Sequence, residues 1–138
     1  MRVVVDTNVI LDAMAGRPPW NEAAEKILLQ APYVGITLCI SASTVTDIYY
    51  LTRKYLRDHE QTRNLLSLLL AAVTVIEVNA EDCINALASK VSDYEDAVLD
   101  EIAAKAGAWC IVTRNIADFK MAKTKILQPE ELTRLLFS

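Results

Sequence analysis

The segment "VVVDTNVILD" places a carboxylate, Asp6, where three β-branched valines give way to Thr7, Asn8 and a new apolar run. A carboxylate at the end of a buried strand is costly to hide, and Asp6 has no basic neighbour in sequence to pair with. Other acids stand at comparable junctions. Asp47 follows "ISAST", Asp93 and Asp96 open "SDYEDAVLD", and Asp118 lies just past "AWCIVTRN". Taken singly, each has a plain explanation. Acids in a first helical turn favour the helix dipole, and Asp118 suits a turn. Their common placement at strand ends and helix starts is the stronger signal. Several carboxylates brought together must take up protons or a cation. Oxygen donors with no cysteine or histidine beside them select a hard cation, Mg²⁺ or Mn²⁺. Such an ion suits phosphodiester hydrolysis, because it activates water and neutralises phosphoryl charge.

Competing chemistries fail on inventory. The single histidine, His59, sits in the polar segment "RDHEQ", which disfavours a histidine triad or a zinc site. Three glycines in the chain leave no phosphate-cradling loop. A receiver domain would want an acidic pair after the first strand and an aspartate after the middle one. Here the first strand ends in Asp6 alone and "VIEVN" ends in Asn79.

The elements that must position these acids follow from hydrophobic pattern and punctuation. Arg2 to Val5 reads as a buried strand, and Asn8 to Ala15 as a helix closed by Gly16. Asn21 to Gln30 is a helix, Ile36 to Ile40 a strand, and Ser43 or Thr44 caps a helix reaching about Leu56. Gln61 to Ala72 is a helix, Thr74 to Val78 a strand, and Asn79 caps a helix through Ala88. "SDYE" reads as a capping box, with Glu95 reaching back to Ser92 and the helix running to Ala106. On that helix Asp93, Asp96 and Asp100 share a stripe about 60° wide, while Tyr94, Val98 and Ile102 face the core. Ala108 to Thr113 is a strand, "NIADF" a short turn, Ile126 and Leu127 a last strand, and Pro129 opens the final helix. Apolar strands alternating with helices predict a single α/β/α domain over residues 1–138 with a mostly parallel central sheet. Ligands of such sheets bind at the carboxyl ends of the strands. If the strands ending at Asp6 and Thr113 are neighbours, their termini meet there. Asp12, a helical turn or more further on, is expected to lie outside the site.

The chain is 53% hydrophobic, and its longest apolar run, Leu65 to Ile76, is too short to span a bilayer. Asp6 interrupts any signal-peptide pattern, and Cys39, Cys83 and Cys110 read as free thiols of a cytoplasmic protein. A net charge of −4 argues against a uniformly basic nucleic-acid binder. Its basic residues nevertheless gather in "RKYLR" (Arg53 to Arg57) and "RNIADFKMAKTK" (Arg114 to Lys125). Such runs are either solvated faces or phosphate-contacting edges beside an acidic centre.

In order and spacing, "VVVDTNVILD", "SDYEDAVLDEIAAKAGAWCIVTRNIADF" and "ILQPEELTRLL" resemble the PIN-domain family over essentially the whole chain. The resemblance implies a parallel sheet between helices and an acidic cluster binding Mg²⁺ or Mn²⁺. It also implies a ribonuclease acting on RNA, as in VapC-like toxins held inactive by an antitoxin. By position, Asp6, Asp47, Asp96 and Asp118 match the family's acids, and Asp6, Asp96 and Asp118 are the expected metal ligands. Thr7, Asn8, Asp93, Thr113 and Asn115 are expected polar supports, and Arg114 and Lys120 the expected RNA contacts. Many relatives carry glutamate where Asp47 stands, so a water bridge suits this shorter side chain. Asn115 stands where some relatives carry an acid, which leaves the charge to Asp118. The alternatives are a non-catalytic PIN-fold module binding RNA or protein, and a metal phosphatase. Exposed Trp20, Tyr49 and Tyr50 would suit a homodimer or an antitoxin groove.

Overall fold

The structure, a computed structural model, describes residues 1–137. Five strands form one wholly parallel sheet: β1 (Arg2–Val5), β2 (Thr37–Ser41), β3 (Thr74–Ile76), β4 (Cys110–Val112) and β5 (Ile126–Leu127), in the order β3-β2-β1-β4-β5. Between and around them run α1 (Thr7–Met14), α2 (Asn21–Gln30), α3 (Val45–Leu56), α4 (His59–Ala72), α5 (Ala80–Ala86), α6 (Tyr94–Lys105) and α7 (Pro129–Phe137). Short 3-10 turns cover Ala31–Val34, Ala42–Thr44 and Ile116–Phe119.

β1 lies at the centre, with Val4 opposite Cys39 of β2 on one side and Ile111 of β4 on the other. Its valines alternate between faces, as the strand pleat requires. Val3 and Val5 join a core with Val9 and Ile10 of α1, Ile27 of α2, Ile48 of α3, Leu69 of α4 and Leu132 of α7. Val4 points the other way, to Leu99, Ile102 and Ala103 of α6 and to Phe119. Both faces of the sheet are therefore covered, which is why its strands read as continuous apolar runs. The expected three-layer α/β/α architecture is the one observed.

Several local expectations shift. The strands are shorter, β3 ending at Ile76 and β4 at Val112. Ser41, not Ser43 or Thr44, supplies the capping oxygen before α3, accepting from the Ser43 amide at 3.2 Å. α4 starts at His59 because the Asp58 carboxylate accepts from the Gln61 amide. Asp93, not Ser92, caps α6, accepting from the Asp96 amide at 3.0 Å. Tyr94 is exposed and donates to the Cys83 carbonyl, whereas Val98 and Ile102 are buried as expected.

Candidate active site

β1 and β4 pair directly, and Asp6 and Thr113 each follow the last residue of one of them. The chain therefore enters α1 and the Ile116–Phe119 turn from the same edge. Asp6 is nearly buried and is the N-cap of α1. Its Oδ1 accepts from the Thr7 amide at 2.8 Å, and its Oδ2 accepts from Thr113 Oγ1 at 2.8 Å and Asn8 Nδ2 at 3.1 Å. Asn8 Oδ1 in turn accepts from the Arg114 amide, and Thr113 Oγ1 accepts from the Asn115 amide. Asn8 and Thr113 thus clamp Asp6 to the start of the Asp118 turn. Thr7 contributes its backbone, while its own hydroxyl is buried and has no hydrogen-bond partner in the protein. Burial lifts the Asp6 carboxyl above its ordinary pKa, against the lowering pull of Thr113, Thr7 and Asn8, and the charge of Asp118 adds to the rise.

The first turn of α6 brings the next acids. Burial pushes the Asp96 carboxyl up to about 7, and the negative charges of Asp6, Asp93, Asp118 and Glu95 reinforce it. Partial burial of its carboxyl end raises Glu95 too, together with the charges of Asp47, Asp93 and Asp6. Asp47, in the first turn of α3, and Asp118, in the 3-10 turn, are both exposed at this edge. Asp6, Asp47, Asp93, Glu95, Asp96 and Asp118 therefore share one electrostatic neighbourhood. The starts of α1, α3 and α6 lie among these acids, and their dipoles offset part of the repulsion.

Not every expected residue joins the cluster. Asp100 is buried one turn further along α6, where it accepts from the backbone amides of Lys123 and Thr124 at 2.9 and 3.0 Å. It anchors the segment leading into β5. Asn115 is exposed and contributes its amide to Thr113 rather than a side-chain cap. Arg114 sends its guanidinium away from the acids: Nε donates to Asp12 Oδ2 at 2.6 Å, and Cζ lies 4.2 Å from the centroid of the Trp20 ring. Lys120 is exposed just beyond the Asp118 turn.

Glu95 and Asp12 take roles that the sequence does not indicate. The expected reach of Glu95 back to Ser92 gives way because α6 starts one residue later, capped by Asp93, and Asp12, outside the acidic cluster as expected, has a structural role. Asp12 is fully buried and bridges Arg17 and Arg114 at 2.8 and 2.6 Å. The local signal was the spacing of Asp12 and Arg17; the Arg114 partner comes from the far end of the chain.

Among the described residues, no three His, Cys, Asp or Glu side chains close into a preformed metal cage. The donor chemistry nevertheless fits a hard divalent cation. Mg²⁺ takes oxygen ligands, keeps several of its waters and needs only one or two carboxylates from a protein. Asp6 and Asp96 offer those carboxylates, and a divalent charge would offset the burial and the neighbouring negative charge that raise both.

The family model described as "PIN domain" matches residues 2–117. No curated protein matches the chain in sequence. Among solved structures, VapBC2 from Rickettsia felis, bound to a DNA fragment from its promoter, is similar with a TM-score of 0.69 at 19% identity, over 93% of this chain and 98% of that one. VapC20 from Mycobacterium tuberculosis, a toxin that cleaves the sarcin-ricin loop, is similar with a TM-score of 0.65 at 16% identity, over 79% of this chain and 86% of that one. A toxin–antitoxin complex from Klebsiella pneumoniae gives a TM-score of 0.67 at 21% identity, over 92% and 97%. At these identities the likeness is one of fold.

Proposed function

Because the chain belongs to the PIN-domain family, we propose that it is a divalent-metal-dependent endoribonuclease, the toxin of a toxin–antitoxin pair. What supports this reading is the shared electrostatic neighbourhood of Asp6, Asp96 and Asp118 beside the carboxyl edge of the paired strands β1 and β4. A bound Mg²⁺ or Mn²⁺ would act as a Lewis acid, activating water and neutralising phosphoryl charge. Asp6, Asp96 and Asp118 are the residues assigned to hold it. Thr113, Asn8 and the Thr7 amide fix the rotamer of Asp6, so its carboxylate is oriented before any ion arrives. Asp47 lies near enough for its charge to act on Glu95, and its proposed role is to hold a water on the ion. Lys120, exposed past the Asp118 turn, is the proposed contact to a substrate phosphate. Arg114 acts by tying that turn to Asp12.

The similar structures that hold a toxin with its antitoxin support a protein partner for this chain. An apolar cleft lined by Met14, Leu28, Leu29, Leu65 and Leu68 offers such a partner, or a second copy, a surface to cover. No helix among the described residues is long and apolar enough to cross a membrane.

The test offers RNA and a small phosphomonoester to the purified chain, with Mn²⁺ and with chelator. The reading expects RNA cleavage only with metal, and none from Asp6→Asn. Asparagine caps a helix about as well as aspartate, so that variant keeps α1. Cleavage that persists in chelator or in Asp6→Asn would remove the metal-nuclease reading. Turnover of the phosphomonoester alone would favour a phosphatase. The open carboxylate geometry favours a second reading, a non-catalytic RNA- or protein-binding PIN module. That reading expects RNA or partner binding with no cleavage at any Mn²⁺ concentration.

A further inference from the structure

The segment Arg53 to Arg57 is absorbed by none of the chemistry above. α3 begins in the acidic cluster with Asp47 and ends in this basic run. Asp47, Leu51 and Lys54 follow one another at helical spacing, so Lys54 stands on the same stripe as Asp47, about 10 Å further along the axis. Arg57, the C-cap, lies about 15 Å from the Asp47 level and takes a left-handed conformation (φ 57°) that turns the chain out of the helix. Among the described residues, Arg53, Lys54 and Arg57 are exposed and make no ion pair, while Asp58 beside them is engaged in capping α4. Lys54 and Arg57 form the ridge between two shallow clefts. One, of about 390 Å³, is lined by Leu11, Arg17, Leu51 and Tyr55. The other, of about 410 Å³, is lined by Tyr50, Arg53 and His59. Tyr50 and Tyr55 are 62% and 53% exposed.

We propose that Arg53, Lys54 and Arg57, with Tyr50 and Tyr55 beside them, form a docking shelf for the single-stranded RNA substrate, leading from the carboxylate edge along α3. The inference rests on the ribonuclease reading and adds where the strand lies. Charge complementarity carries it. In a chain of net charge −4, three cations without ion pairs, two on the ridge and Arg53 in the cleft beside it, offer a polyanion a local footing that the acidic edge denies it. Exposed aromatic rings interleaved with cations suit unstacked bases. The 10–15 Å run covers at most roughly three to four nucleotides at the ~3.4 Å spacing of a duplex strand, and fewer of an extended, unstacked one. Arg17 borders the shelf but is held by Asp12, so the free cations are those of α3.

The test is fluorescence anisotropy with a short labelled single-stranded RNA of mixed sequence, in chelator so that no strand is cut, over a salt series. The variant Arg53→Gln/Lys54→Gln/Arg57→Gln should bind roughly tenfold more weakly near physiological salt, and its salt slope should fall by about 2. Lys90→Gln, a loss of exposed charge on another part of the surface, should bind like wild type. The expected thermal melt of the triple variant matches wild type, since these side chains carry no internal bond that the fold needs. Wild-type affinity in the triple variant would overturn the shelf while leaving the ribonuclease reading in place. A changed oligomeric state with RNA affinity intact would overturn it in favour of an interface between copies. Failure of the wild-type chain to bind RNA would overturn the shelf and the RNA reading together.

Discussion

Thr113 Oγ1 donates a 2.8 Å hydrogen bond to Asp6 Oδ2 across 107 residues of sequence. The bond joins the ends of β1 and β4 and holds a nearly buried carboxylate in one orientation. Thr113→Val keeps the shape and removes the donor. It also strips the Asn115 amide of its acceptor. The variant should lose about 1–3 kcal/mol of stability in urea unfolding. Thr113→Ser, which keeps the hydroxyl, should lose much less. Equal losses in both would assign the effect to the missing methyl and not to the bond.

Asp96 gives the metal-free chain a pH-dependent stability. Its carboxyl titrates at about 7 in the folded chain against 3.8 for an ordinary aspartate. Between about pH 4 and 7 the folded chain keeps a proton that the unfolded chain has released. This contribution is complete below about pH 4 and is lost as the pH rises through about 7. Thermal melts in chelator should show that decline.

Asp96→Asn should flatten that decline. At an effective dielectric of ~20, two charges ~5 Å apart repel by roughly 3 kcal/mol, of which screening and proton uptake leave about 1 kcal/mol. At pH 8 the variant should melt about 3–5 °C above wild type in chelator. Mn²⁺ should stabilise wild type and the variant much less, because the ion binds the folded cluster. The Mn²⁺ gain of wild type should also shrink at pH 6, where the ion competes with a proton on Asp96. A variant that melts lower in chelator and gains as much from Mn²⁺ as wild type would make Asp96 a structural residue.

Asp12 and Asp47 should separate stability from metal binding. Asp12→Ala leaves Arg17 and Arg114 without their shared buried partner and should cost about 3 kcal/mol. Asp47→Ala removes an exposed acid and should leave the chelator melt within ~0.5 kcal/mol of wild type while weakening Mn²⁺ stabilisation. The pair is read from melts with and without Mn²⁺. An Asp47 variant whose Mn²⁺ response equals that of wild type would place Asp47 outside the site.

Asp100→Ala should destabilise by about 1–3 kcal/mol, since it leaves the Lys123 and Thr124 amides without an acceptor. Amide hydrogen exchange around β5 should rise before that of β1.

The fold was legible because its signals are local. The "VVV" run, the glycine after α1 and the proline opening α7 each act within a few residues. The adjacency of Asp6 and Thr113 was also within reach, once the strands were read as parallel and their ends as a shared edge. What stayed hidden were choices between equal partners and bonds across the chain. Ser92 and Asp93 can both cap a helix, and the carboxylate took the position, which sent Glu95 to the acids instead. Asp100 lies on the stripe of Asp96 yet turns to amides more than 20 residues away. Asp12 and Arg114 are separated by 102 residues, and no periodicity links them.

The central place of β1 also sets a schedule. The strand is made first, but its β4 neighbour and the Asp118 turn are made more than 100 residues later. At ~5–20 residues per second, that gap is about 5–20 s of synthesis. Through that interval β1 can pair with β2, which brings α1 and α3 together, but the β4 end and the Asp118 turn that complete the edge are still to come. A chain cut short of Asp118 lacks both the last acid and the β4 end that orients Asp6, so the carboxylate edge forms only after both are made.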